Sequence, residues 1–99
     1  MEVLAVHHVP SLTQERYETV IQNLMGGRRQ RFESMDDLPF TGLLVHAAAQ
    51  TDDGFVIFDV FESQEAFDRF SEEIRPFASG AGIEEGPKPW PIHTFVWDR

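Results

Sequence analysis

The chain has 99 residues, 41% of them apolar, with nine Phe and no Cys. That is enough for one domain with its own core, and it excludes disulfides and thiolate chemistry. Seventeen Asp and Glu against eight Lys and Arg leave a net charge of −9, so phosphate backbones and anionic lipid are repelled, and no nucleic-acid or membrane partner is expected.

The first residues, MEVLAVHHVP, carry an acid at position 2 and only a short apolar run. The pattern fits neither a signal peptide nor a membrane span, and a soluble cytoplasmic protein is expected. Residues 3–9, VLAVHHV, read as a strand stopped by Pro10. SLTQERYETVIQNLMGG reads as a helix. Thr13 is its N-cap, and Glu15 suits the positive end of the helix dipole. Tyr17, Val20, Ile21 and Leu24 make one apolar face, and Gly26 with Gly27 supplies the stop. Residues 28–41, RRQRFESMDDLPFT, have no clear period and read as a loop with at most one helical turn. The length is unusual for a compact domain, so the segment is either a cover or a solvated loop. Arg28, Arg29 and Arg31 are a solvated run or contacts to an anion or a partner subunit.

Strands follow at 43–49 and 55–61, joined tightly by Asp52-Asp53-Gly54. Ser63 caps a second helix whose stripe is Phe67, Phe70 and Ile74. Pro76 is expected to kink or break it, with a short second turn reaching about Ala81. EEGPKPWP at 84–91 reads as a rigid approach to a last strand, IHTFVW. The order β-α-β-β-α-β over residues 1–99 is a single α+β domain of the ferredoxin-like, split βαβ type with an antiparallel sheet.

Side chains alternate across a strand, which sorts the central hairpin into two faces. Leu43, Val45, Ala47 and Ala49 share one face of their strand, and Val56, Phe58 and Val60 share one face of the next. His46 and Asp59 fall among large apolar residues, Leu44, Phe55, Ile57 and Phe61, on the other. A two-residue turn at Asp52-Asp53 pairs His46 directly with Asp59, and one at Asp53-Gly54 makes them diagonal neighbours. A five-residue loop would separate them. The purely apolar face is expected to seat the helices. The mixed face is then too apolar to be left wet, and a second copy of the sheet is the simplest cover.

The β-α-β-β-α-β order with two apolar sheet faces is similar to the dimeric α+β barrel superfamily. The run GLLVHAAAQTDDGFVIFDVFESQEAFDRF resembles small bacterial proteins near its antibiotic-biosynthesis-monooxygenase-like branch. The VP…T.E.Y opening over residues 9–17 and the P.H at Pro91-Ile92-His93 also match. The resemblance covers most of the chain outside 28–41. It implies a homodimer with a ligand cavity, in a family that holds cofactor-independent oxygenases of aromatic polyketides and haem-degrading enzymes. This chain has no His on the second helix and no Asn on the first strand, and its Trp residues, Trp90 and Trp97, come late.

His46 and Asp59 are the candidate catalytic pair. A carboxylate beside an imidazole fixes its tautomer and makes a general base or proton relay, while the same pair also satisfies itself as a buried structural unit. Tyr17, Phe55, Phe61, His7 and His93 are candidate ligand-binding residues. One of His7 and His8 should join the mixed face. The favoured reading is a homodimer that binds a small apolar or aromatic molecule without a cofactor, with cofactor-independent monooxygenation as its reaction. The alternatives are a non-catalytic ligand-binding or structural dimer, and a metal-dependent enzyme using His46, Asp59 and His93.

Overall fold

A computed structural model describes residues 1–27, 32–80, 83 and 86–96. Arg28, Arg29, Arg31, Ala81 and Trp97 lie outside the described residues. Val3–Val9 forms β1, and Gln14–Leu24 forms the helix α1. The Thr13 hydroxyl accepts from the Arg16 amide at 3.2 Å, which satisfies one of the free donors of the first turn. At the other end the Gly27 amide donates to the Gln22 carbonyl and the Gly26 amide to that of Asn23. This pairing needs a left-handed residue after the cap, and Gly26 supplies it at φ 67°.

Within the loop that follows, Met35–Asp37 makes a single 3-10 turn. Leu43–Thr51 is β2, Gly54–Phe61 is β3, and Gln64–Gly80 is α2. The hairpin closes through Asp52-Asp53 with Thr51 opposite Gly54, and His46 stands directly opposite Asp59. Gly54, at φ 149°, lies against the end of β1, where a Cβ would come within 2.6 Å of the Pro10 backbone. The Ser63 hydroxyl caps α2 by accepting from the Ala66 amide at 3.1 Å.

Two expectations about element boundaries fail. The second helix does not break at Pro76. Pro76 and Glu72, whose carbonyl it leaves unpaired, are both exposed, so water can satisfy that oxygen. The apolar stripe on the opposite side, Phe67, Phe70, Ile74 and Ala78, continues past the proline and holds the helix in place. The last strand is Pro89–Pro91, β4, and not 92–97. It pairs antiparallel with β1, Trp90 opposite Leu4, and the Ile92 amide donates to the Glu2 carbonyl at 3.0 Å. With a period of two, the prolines occupy positions whose N–H would point away from β1, toward the open edge, where its loss costs no ladder bond.

The sheet order is β2-β3-β1-β4 with every neighbouring pair antiparallel. The helices cover the face that carries His46 and Asp59; the other face, with Val45, Phe58 and Val60, is bordered by residues 92–96, which leave Val60 buried but Val6 and Phe58 exposed. The expected assignment of the two faces is therefore inverted. The covered face carries Val3, Ala5 and Val9 of β1 opposite Phe61, Asp59 and Phe55 of β3. Phe55, Ile57 and Phe61 give β3 a large apolar surface on this side, and packing the helices there buries it. A β-bulge between Leu43 and Val45 also turns Leu43 onto the covered face, opposite Phe61. Two clusters result. One gathers Val3, Leu43, Phe61 and Phe67 with Phe40 of the loop, and the other gathers Val9, Leu12 and Phe55. The polar pair lies between them along β3.

Candidate functional site

Asp59 is 3% exposed, the one charged side chain buried among the described residues. A carboxylate there needs a donor, and β2 brings one: His46 Nδ1–H donates to Asp59 Oδ1 at 2.5 Å. That bond fixes the tautomer, so Nε2 is left to accept. The Tyr17 hydroxyl donates to it at 2.6 Å. Three residues from α1, β2 and β3 thus form one chain of hydrogen bonds, Tyr17 to His46 to Asp59. The Tyr17 ring rests on Phe55 with centroids 4.8 Å apart, and Phe32 meets the His46 ring edge-on at 5.4 Å. No buried side-chain polar atom among the described residues lacks a partner.

Burial pushes the Tyr17 phenol above its ordinary value, and the Asp59 carboxylate adds to the effect. The phenol therefore stays protonated at neutral pH and acts there as a donor to His46. Its oxygen keeps lone pairs with which it can accept from a ligand.

This chain of bonds borders a cavity of about 330 Å³ between the sheet and the helices. Its wall is mostly apolar: Val20, Ile21 and Leu24 of α1, Phe70 and Ile74 of α2, Ile57 of β3. The volume falls at the small end of the range of known ligand pockets, which suits a compact molecule of one or two rings. A second, more polar hollow lies on the far side of Tyr17, Phe32 and His46, bounded by Gln14, Glu18 and Gln50. The long loop does act as a cover, since Phe32 and Phe40 both line the first cavity.

The candidate residues divide by position. His46, Asp59, Tyr17 and His7 border the cavity. His8 points to the other face and pairs with Asp53 at 3.3 Å. Phe55 lines the second hollow and supports Tyr17, while Phe61 is fully buried in the core against Phe67 and does not reach the cavity. His93 lies on the open side of the sheet with Leu4, Phe58 and Val60. It cannot join His46 and Asp59 in a metal site, because the sheet stands between them. Among the described residues no three His, Asp or Glu side chains converge as metal ligands.

Sequence reasoning placed Tyr17 on an apolar stripe and did not see that its hydroxyl would complete the His46 bonds. The signal was present: a lone polar atom on the α1 stripe needs a partner, and the mixed face held two candidates. Ser71 and Arg75 of α2, which also border the cavity, were missed. No protein-family model, curated protein or solved structure matches the chain.

Proposed function

We propose that the protein binds a small apolar or aromatic molecule in the helix-covered cavity and moves a proton through Tyr17, His46 and Asp59. One observation carries this reading: a complete phenol–imidazole–carboxylate chain at the wall of an otherwise apolar space. A ligand O–H or activated C–H meets the Tyr17 oxygen. As Tyr17 takes that proton it gives its own to His46 Nε2, and the Asp59 carboxylate stabilises the imidazolium so formed. The surrounding apolar wall excludes water and strengthens each of these interactions.

For a ligand with an activated aromatic methylene, the carbanion left behind reduces dioxygen. A carbon–oxygen bond forms as a peroxide, the O–O bond then breaks, and the methylene plus O₂ ends as a carbonyl plus water. That is the cofactor-independent monooxygenation which the resemblance implies. The ferredoxin-like reading and the dimeric α+β barrel belong to the same proposal. The open face, with Val6 48%, Phe58 40% and Trp90 61% exposed, favours a second copy as its cover. Val6, Phe58 and Trp90 themselves carry no charge on an acidic chain, so two copies meet through them without bringing carboxylates together.

A non-catalytic ligand-binding dimer is the rival, favoured by the fact that both His46 nitrogens already have partners. Deuterium exchange at the activated methylene of 2-tetralone, followed by proton NMR, separates the two. The proposal expects exchange above the buffer rate, falling on the order of 10²-fold or more in Tyr17→Phe and His46→Gln. Equal exchange in both variants and the parent would leave the rival. Native mass spectrometry of the same sample reads the dimer.

A further inference from the structure

The chain of bonds at Tyr17 accounts for only one wall of the cavity. The α2 wall also carries Ser71 and Arg75, one helical turn apart and therefore side by side. Arg75 is exposed and yet borders the cavity, as does Gly86, so the opening to solvent lies here. Among the described residues neither the Arg75 guanidinium nor the Ser71 hydroxyl has a hydrogen-bond or ion-pair partner. Glu72 and Glu73 do not border the cavity. A guanidinium and a hydroxyl side by side, without partners among the described residues and at the mouth of an apolar space, make an anion-binding arrangement in a chain of net charge −9.

We infer that the ligand is an aromatic carboxylic acid, held with its carboxylate at Arg75 and Ser71 and its ring inside, so that a hydroxyl or activated carbon on the ring faces Tyr17. The inference rests on the ligand-binding reading of the cavity and adds the ligand's charge and orientation to it. A planar carboxylate fits the guanidinium fork through two parallel N–H···O bonds, and the Ser71 hydroxyl donates to a remaining lone pair. A phosphate would bring more charge and more acceptor oxygens than one Arg and one Ser can satisfy.

Two probes test it by isothermal titration calorimetry at neutral pH: 6-hydroxy-2-naphthoate, which has both groups at opposite ends of the ring system, and 2-naphthol, which lacks the carboxylate. The naphthoate should bind the parent protein about tenfold more tightly or better, the usual gain from a charge-assisted pair. Arg75→Gln should erase that advantage and leave 2-naphthol binding unchanged. Arg75→Lys, which keeps the charge but loses the fork, should fall between. Ser71→Ala should weaken the naphthoate alone, by roughly threefold. Arg75 is exposed, so its variants fold. Equal affinity for the two probes, or a naphthoate affinity that Arg75→Gln does not change, overturns the carboxylate assignment while the cavity reading stands. Binding of neither probe overturns the cavity reading and the carboxylate assignment with it.

Discussion

The two faces of the sheet handle polarity in opposite ways. Under the helices, a buried carboxylate, a half-buried imidazole and a half-buried phenol lie together, joined by hydrogen bonds from one to the next. On the open side, Phe58, Val6 and Trp90 face outward, with His8 and His93 on the same side. The helices chose the mixed face because its Phe and Ile side chains offer more area, and because α1 carries the hydroxyl that completes the polar chain. A buried polar set is therefore no sign of a second subunit. The exposed apolar set is the surface on which the proposed second copy would lie.

The largest effect that would break this contrast is expected at His46. His46→Leu leaves Asp59 buried with no donor from β2, and breaking a buried pair from one side costs about 3–5 kcal/mol. The denaturant midpoint should fall accordingly. The double change His46→Leu with Asp59→Leu should recover much of the loss, because no charge is then stranded. A single variant as stable as the parent would mean that the covered face does not depend on its polar chain.

The next effect belongs to the other face. Phe58→Asp puts a charge into the open apolar patch, and it should convert a dimer into a monomer at micromolar concentration, a loss of roughly 2 kcal/mol or more of association. Light scattering after size exclusion reads it. Because Phe58 is already 40% exposed in the single chain, the monomer's own unfolding midpoint should change far less than in the His46 variant. A parent protein that is monomeric at that concentration breaks the comparison, for then the open face is stable in water.

How much of this was legible in the sequence depended on how local the signal was. The helix caps at Thr13 and Ser63, the glycine stop after α1 and the tight hairpin at Asp52-Asp53-Gly54 all rest on residues a few positions apart, and they could be read directly. Either two-residue turn there puts His46 and Asp59 on one face, and the choice between direct and diagonal pairing came with the register. The choice of covered face could not be read so. It depends on the register of β1 against β3, which sets Val3 opposite Phe61, and no neighbouring residue encodes that. The bulge at Leu43 and Leu44 had no local marker either. Pro76 carried a strong local signal that tertiary packing overrode. The prolines of β4 were read as a rigid approach to the last strand because their edge position was not yet known. Tyr17 reached His46 only once the helix was placed over the mixed face, so the third member of the site was hidden by the same inversion.

The smallest effect sharpens the comparison from inside the covered face. Tyr17→Phe removes one hydroxyl and leaves His46 Nε2 without its donor, at a cost of about 1 kcal/mol at neutral pH. Its dependence on pH is more telling than its size. The unfolded phenol titrates near the ordinary value of 10.0, and the folded one is raised above it by burial and by Asp59. The folded state thus holds this proton more tightly, so the contribution is complete below about pH 10 and is lost as pH rises through the folded value. Parent stability should decline on that alkaline side, and Tyr17→Phe should lack that part of the decline, so the gap between the two narrows as pH rises. The chain has a single Tyr, so the near-ultraviolet tyrosinate band reports this group alone. A band that appears at the ordinary value in the folded protein would place the phenol in water. The chain of bonds from Tyr17 to Asp59 would then be open at its first link, and the covered face would hold a pair instead of a relay.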